Sequence, residues 1–198
     1  MKLRLLYYKN YVKCNEKVKV HEKMETQNYI IRESEFGDYE YFAKWETDPV
    51  MTEFLAYDED RTYEDVVTEA FDHKKDETMV DFTIVSRNTG KPIGRIFISR
   101  IDRHSDSLDI TKLYIGDAEF RGRGVGREIM ETLLEFCFTN LHMERVSLDY
   151  FTGNKRAAAL YESLGFRSEG LARNACKKNG RYYDLNLMSM LRSEFFSK

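Results

Sequence analysis

Cysteine and proline are scarce in this 198-residue chain, with three of the first and two of the second. Cys14, Cys137 and Cys176 are odd in number and far apart, and no two form a Cys-x-x-Cys pair. That excludes a disulfide framework, and the thiols read as reduced ones of a cytoplasmic protein. His21, His73, His104 and His142 make no His-Glu-x-x-His, so no metal site is expected. No apolar run approaches the roughly 20 residues of a membrane span. Leu3-Arg4-Leu5-Leu6 is too short and too interrupted for a signal peptide, so no membrane association is expected. Excess positive charge is also missing. The net charge is −3, which gives the chain as a whole no electrostatic reason to bind nucleic acid.

What is present suffices for a core. Hydrophobic residues make up 42% and charged residues 33%, which fits one folded domain and argues against low complexity. Residues 1–23 differ from the rest, with seven Lys/Arg against Glu16 and Glu22 and little periodicity. They read as a basic N-terminal extension: either an arm for an anionic partner or an appendage ahead of a start at Met24. Residues 24–198 are expected to form the domain.

Apolar spacing then assigns elements. Residues 29–32 read as a strand, and Phe36, Tyr39, Phe42 and Ala43 recur at helical spacing up to Trp45. Thr62 caps a second helix with Asp65 three positions on, and Val66, Ala70 and Phe71 form its expected buried stripe. Residues 82–86 and 93–101 read as a hairpin about Asn88-Thr89-Gly90-Lys91, and 108–115 as the next strand. Simple alternation along 108–115 puts Asp109, Thr111, Leu113 and Ile115 on one face. Residues 126–140 form an amphipathic helix, with Ile129, Met130, Leu133, Leu134 and Cys137 on one side. A strand at 146–150 and a helix at 154–164 follow; Ala157, Leu160, Tyr161 and Leu164 make that helix's stripe, and Gly165 ends it. Strands at 166–176 and 182–191 flank Lys178-Asn179-Gly180. The order predicts an α+β fold: a mixed, mostly antiparallel sheet with helices on both faces.

The chemistry concentrates between residues 116 and 127. Gly116 closes a strand, and Arg121-Gly122-Arg123-Gly124-Val125-Gly126-Arg127 opens a helix. Glycines there let a backbone approach a ligand, and a helix N-terminus adds partial positive charge. With Arg121, Arg123 and Arg127 the site suits a pyrophosphate. A Rossmann turn needs Gly-x-Gly-x-x-Gly directly after the strand, whereas the spacing is Gly122-x-Gly124-x-Gly126. Asp149 falls near the place of a ribose-binding acid, but the arginines have no role in that turn. A Walker A loop lacks its Gly-Lys-Ser/Thr.

At these residues the sequence resembles the GCN5-related N-acetyltransferases. Residues 121–126 match their Arg/Gln-x-x-Gly-x-Gly/Ala signature. Residues 109–115 look like the strand preceding it. Asn154-Lys155-Arg156-Ala157-Ala158-Ala159-Leu160-Tyr161-Glu162-Ser163-Leu164-Gly165-Phe166 looks like the second motif, Asn-x-x-Ala-x-x-x-Tyr-x-x-x-Gly-Phe. The likeness runs from about Tyr29 to Leu191.

The resemblance implies the acyl-CoA N-acyltransferase fold, with acetyl-CoA as co-substrate lying between two splayed parallel strands, 108–115 and 146–150. It implies that backbone groups of Tyr114, Ile115 and Gly116 pair with the pantetheine arm. Amides from Gly122, Arg123, Gly124, Val125, Gly126 and Arg127, with Arg121, would hold the pyrophosphate. Asn154 and Ala158 would line the cofactor's other side. Tyr161 would protonate the leaving thiolate, and Asp109 would serve as base at the cleft rim. Cys137 reads as core, because no His or acid stands at a suggestive spacing for acyl transfer through it.

The ends of the match look most like the branch of ribosomal-protein N-terminal and spermidine acetyltransferases, through Phe138-Thr139-Asn140-Leu141 and Asn179-Gly180-Arg181-Tyr182-Tyr183-Asp184. An amine acceptor is then expected, a small molecule or a peptide N-terminus. Glu33, Glu35, Asp38, Trp45, Glu46, Asp58, Glu59 and Asp60 are candidate contacts to a cation, and each also reads as ordinary surface. Aminoglycoside and amino-acid amines stay open, as does a homodimer. The alternative from another class is a non-catalytic acyl-CoA sensor with the same fold; a broken glycine turn or a missing Tyr161 would mark it, and both are intact.

Overall fold

The computed structural model describes residues 23–197; the expected basic extension lies outside this range except for Lys23. Strands β1 (Met24–Glu25) and β2 (Tyr29–Glu33) lead into a 3-10 turn, Phe36–Asp38, and helices α1 (Tyr39–Glu46), α2 (Pro49–Thr52) and α3 (Tyr63–Lys75). Strands β3 (Val80–Ser86), β4 (Pro92–Asp102) and β5 (Ser107–Ile115) follow. Helix α4 (Val125–Glu135) runs on as a π turn over Phe136–Asn140. Then come β6 (Arg145–Phe151), α5 (Lys155–Ser163), β7 (Arg167–Lys178), β8 (Arg181–Leu191) and α6 (Arg192–Phe195).

Local chemistry explains the boundaries. At α3 the Thr62 side chain accepts from the Asp65 amide while Asp65 accepts from the Thr62 amide, so two orphan donors are satisfied reciprocally. Asn154 caps α5 by accepting from Ala157 N at 3.1 Å. The β7–β8 turn sets Asn179 and Gly180 at φ 49° and 74°, the left-handed conformation that a tight turn between twisted strands needs. The β7–β8 register slips twice, between Ser168 and Gly170 and between Ala172 and Cys176, with Gly170 at φ 135° and Asn174 at φ 50°.

The strands form one eight-stranded sheet in the order β1-β2-β3-β4-β5-β6-β8-β7. Every neighbour is antiparallel except β5 and β6. One face carries the main core, with Ile96, Ile98, Leu108, Ile110, Val146 and Leu148 packed under Ile129, Leu133, Tyr161 and Leu164. The other face meets α1 and α3 through Phe42, Trp45, Val66, Ala70 and Tyr114. Phe71, expected in that stripe, is 49% exposed and instead lies 6.4 Å from the exposed Phe36 ring. One residue beyond Ala70 stands about 100° further round the helix, and that turns Phe71 out of the buried stripe in which it was expected.

Strand β5 does not alternate simply. Phe97 pairs with Lys112 and Ile98 with Ile110, so Thr111 is an extra residue, a β-bulge. The bulge flips the faces downstream. Leu108, Ile110, Leu113 and Ile115 all join the main core, while Tyr114 belongs to the α1/α3 side. Asp109 therefore shares its face with Lys112 and Tyr114 and not, as alternation predicted, with Leu113 and Ile115.

A buried ion cluster fastens α1 and α3 to this second face. Arg95, fully buried, donates from Nη1 to Glu46 at 2.7 Å and from Nε to Asp81 at 2.9 Å. Arg61 reaches Glu46 at 3.0 Å and Glu69 at 2.8 Å, and Lys112 reaches Glu69 at 3.0 Å. The Tyr114 hydroxyl donates to Glu46 at 2.8 Å. Burial alone would push the Glu46 carboxyl up, but Lys112, Arg95, Arg61 and Tyr114 outweigh it and bring it from 4.5 to about 2.

Removing one partner of such a cluster strands the others without solvent. Arg95→Met should cost about 3–5 kcal/mol in urea unfolding, and a loss below ~1 kcal/mol would refute the role given to the cluster. Glu46 sets the acid limit of the same stability. Its folded value is depressed, so its contribution is complete above pH 4.5 and should fade as pH falls toward about 2.

Candidate active site

Strands β5 and β6 are paired only from Ser107, Leu108 and Asp109 to Arg145, Val146 and Ser147. Beyond that they part. Strand β5 stays paired with β4 as far as Ile115, and β6 with β8 as far as Phe151. The facing edges thus keep main-chain donors and acceptors that no strand satisfies, a slot shaped for an extended ligand.

Asp109 stands at the closed end of the slot, 5% exposed. Its carboxylate accepts from Thr111 Oγ1 and from Ser147 Oγ, each at 2.9 Å, and so ties the two strands where they diverge. The expected rim position is thereby corrected: the bulge and the two hydroxyls hold this acid at the apex, away from the mouth.

The ladder also decides which backbone groups face the slot. Gly116 N donates to Ile93 O at 2.8 Å, and Tyr114 is registered with Arg95. Groups alternate along a strand, so Tyr114 and Gly116 turn to β4 while Leu113 and Ile115 turn to the slot. Of the three residues expected to offer backbone groups, only Ile115 does so, and Leu113 joins it. Gly116 O is further taken by Arg121 Nη2 at 2.8 Å.

At the open end lies the glycine turn. Gly122 and Gly124 have φ 75° and 80°, and beyond the adjoining residues nothing lies within 4 Å of where a Cβ would stand on either. Gly124 caps α4, its carbonyl accepting from Arg127 N at 3.0 Å and Glu128 N at 3.2 Å. The first amides of α4, from Val125 on, have no acceptor one turn earlier and point out of the helix end. Val125 itself is buried in the core, and Leu160 Cδ2 of α5 lies 3.7 Å from where a Cβ on Gly126 would stand, an ordinary packing distance. Arg121 braces the turn from inside. Arg127 is held by Glu131 at 2.9 Å and by Ser163, while Arg123 is exposed at the tip.

Helix α5 brings Tyr161 against β6. Its ring packs against Tyr150 at 5.7 Å and Phe166 at 5.8 Å. Burial first, then the charge of Asp149 and the Tyr150 phenol, raise the Tyr161 hydroxyl from 10.0 to about 12. Asn154 and Ala158 lie on the first turn of α5, half-buried, with Ala158 N donating to Asn154 O at 3.1 Å.

Asp149, on β6 beyond the point where the strands part, was not singled out as catalytic by sequence. It is half-buried on the face of Asp109, and burial and the Asp109 charge raise its carboxyl above the ordinary value, against a smaller opposing effect of Arg100. The signal available was its position two residues beyond Ser147 on the strand facing the bulge.

Other expected contacts are reassigned. Glu46 and Asp38 are buried structural acids, the second bonded to Arg32 at 2.6 Å and Thr83 at 2.8 Å. Trp45 packs across Gly116. Asp58 and Glu59 hold Asn179 of the β7–β8 turn. Cys137 is fully buried, and burial lifts its thiol to about 12, which removes it as a nucleophile. Among the described residues no helix is long and apolar enough to cross a membrane, and no group of three or more His, Cys, Asp or Glu is placed to hold a metal ion.

Comparison with known proteins bears on this geometry. The family described as acetyltransferase (GNAT) domain matches residues 28–167. An uncharacterized N-acetyltransferase p20 of Bacillus licheniformis is 24% identical over 177 residues, covering 88% of this chain and 98% of the relative. The putative ribosomal N-acetyltransferase YdaF of Bacillus subtilis is 30% identical over 106 residues, 54% of this chain and 57% of that protein. The crystal structure of spermidine N-acetyltransferase from Vibrio cholerae in complex with CoA and spermine superposes with a TM-score of 0.77 at 22% identity, over 86% of this chain and 99% of that one. At that identity the likeness is one of fold.

Gly116 tests the geometry directly. A methyl there would fall 2.0 Å from Trp45 Cδ2, and Trp45 is the chain's one tryptophan. Gly116→Ala should displace the indole, redden its emission and cost about 1–3 kcal/mol by overpacking. Unchanged emission and unchanged unfolding would show that Trp45 does not rest on this turn.

Proposed function

The chain belongs to the GNAT acetyltransferase family, and from that premise we propose that it moves an acetyl group from acetyl-CoA directly to a primary amine, with no covalent enzyme intermediate. The observation that carries this reading is the slot between β5 and β6, open at one end onto the glycine turn and flanked by Tyr161 and Asp149. The two kinds of unsatisfied group fit the two parts of the ligand. Backbone groups of Leu113 and Ile115 suit amides of a pantetheine arm, and the turn from Gly122 to Gly126 suits a pyrophosphate. Bound acetyl-CoA supplies the acetyl thioester.

The chain's own groups have three tasks. The amine arrives as a cation and must lose a proton. We assign that task to Asp149, whose raised carboxyl is a better base than an ordinary aspartate and whose charge attracts the cation. Asp109 acts behind it, as the fixed charge that helps raise it. Tyr161, with its hydroxyl near 12, stays protonated throughout the physiological range and is available to donate to the departing sulfur. Slot amides of Leu113 and Ile115 are the candidate donors to the developing oxyanion. The acceptor is a cationic amine. A polyamine and a protein N-terminus both meet this chemistry, in keeping with the spermidine and ribosomal relatives. Unpaired Cys137 and Cys176 support a cytoplasmic setting.

Gly124→Asp tests the cofactor site. Asp tolerates the left-handed conformation and is a good helix cap, so the fold should survive. Its charge stands where pyrophosphate should lie, and acetyl-CoA affinity by calorimetry should weaken by more than ~2 kcal/mol. Unchanged affinity in the folded variant would remove the assignment.

The catalytic roles separate by kinetics. Tyr161→Phe should lower turnover roughly tenfold or more with little change in acetyl-CoA affinity. Near-wild-type turnover would refute the donor role. Asp149→Asn should lower turnover at saturating amine, partly recovered at higher pH as free amine increases. Asp109→Asn removes a charge that raises Asp149, so the acid limb of the pH–rate profile should move to lower pH. A limb that stays in place would refute the coupling.

A further inference from the structure

Residues 53–61, between α2 and α3, touch β5 on one side of the slot and the turn that follows β6 on the other. The Tyr57 ring lies 4.5 Å from Lys112 Nζ of β5, and Phe54 Cε1 lies 3.7 Å from the missing Cβ of Gly153, just past β6. A segment in contact with Lys112 of β5 and with the turn after β6 spans from one to the other, on the face where Asp149 and Asp109 stand. The tip of the β7–β8 hairpin holds it there. Lys178, 8% exposed, donates from Nζ to Thr52 O and, at 3.3 Å, to Glu53 O. Asn179 N donates to Asp58 Oδ1 at 2.5 Å, Asn179 Nδ2 donates to Glu59 Oε1 at 2.8 Å, and Glu59 N donates to Asn179 Oδ1 at 2.9 Å.

These contacts join segments about 120 residues apart in sequence. A buried ammonium is costly unless fully hydrogen-bonded, and here it is spent on two main-chain carbonyls of the crossing segment. The turn presenting it is tight, with Asn179 and Gly180 both in the left-handed region. We propose that Lys178 and Asn179 are specificity-determining residues: they latch residues 53–61 across the amine side of the slot, and so limit acceptors to slender amines and keep water from the thioester. The side left for approach runs over Leu185 and Leu187 of β8, both half-buried and registered with Phe151 and Asp149. An amine at the end of an unbranched chain fits that route, whereas a branch on the amine-bearing carbon meets Phe54 and Tyr57. The proposal rests on the acetyl-transfer reading.

Two variants of the full chain test it. Lys178→Met keeps the bulk and removes the donors. Asn179→Gly removes the side chain at a φ that glycine accepts. Hydrogen–deuterium exchange of residues 53–61 should quicken at least tenfold in each, and unchanged exchange would overturn the latch. Without amine, CoA release from acetyl-CoA should rise at least fivefold. There the water oxygen joins the acetyl carbon and the C–S bond breaks, giving acetate and the free thiol. The preference in kcat/KM for n-butylamine over sec-butylamine should fall at least fivefold. A freed loop with unchanged hydrolysis and unchanged preference would overturn the specificity role. If calorimetry finds no acetyl-CoA binding to the parent chain, the transfer reading fails, and the exchange result still decides the latch.

Discussion

Strands β5 and β6 share a ladder from Ser107 to Asp109 and then part, yet each remains paired on its outer side. A sheet cannot leave two facing rows of backbone groups unmet without water or a ligand to meet them. The split therefore dictates what else must be present. Something must hold the strands at the apex, and Asp109 does so through Thr111 and Ser147. Something must stand at the open end, and the glycine turn ahead of α4 does. The bulge at Thr111 serves both ends: it supplies a hydroxyl to the apex and turns Lys112 and Tyr114 toward the charged layer under α1 and α3.

That charged layer is an unusual foundation. Three cations, Arg61, Arg95 and Lys112, meet three acids, Glu46, Glu69 and Asp81, with little solvent. Such clusters add modest net stability compared with an apolar filling, but they tolerate few alternative arrangements. Here they fix α1 so that Trp45 rests on Gly116, and they reach through Arg61 and Tyr57 into residues 53–61. The glycine turn and residues 53–61 are consequently braced by one group of side chains.

Much of this was legible in the sequence because it is local. The left-handed glycines, the caps at Thr62 and Asn154, the stripe on α4 and the hairpin turn at Asn179-Gly180 all depend on neighbours within a few residues. What was not legible depends on partners far along the chain. A one-residue bulge leaves the apolar pattern of β5 almost unchanged, so Asp109 was put at the mouth. Asp149 owes its raised carboxyl to burial and to an acid forty residues earlier on another strand. Glu46 and Asp38 looked like surface acids facing a cation, because the strands that bury them bring Arg95 and Thr83 from 49 and 45 residues further along the chain.

The hairpin that carries the latch has one more property. Strand β7 is the outer edge of the sheet, twelve residues long and largely exposed, with Leu171 half open to solvent. An edge of that length would ordinarily invite another molecule's strand. Its two register slips, at Gly170 and around Asn174, break the regular spacing of donors and acceptors, and Arg167, Arg173 and Lys177 add charge. The opposite edge, β1, has only two residues. Among the described residues neither border offers a long regular template for continued sheet growth, which guards these long strands against fibrillar aggregation.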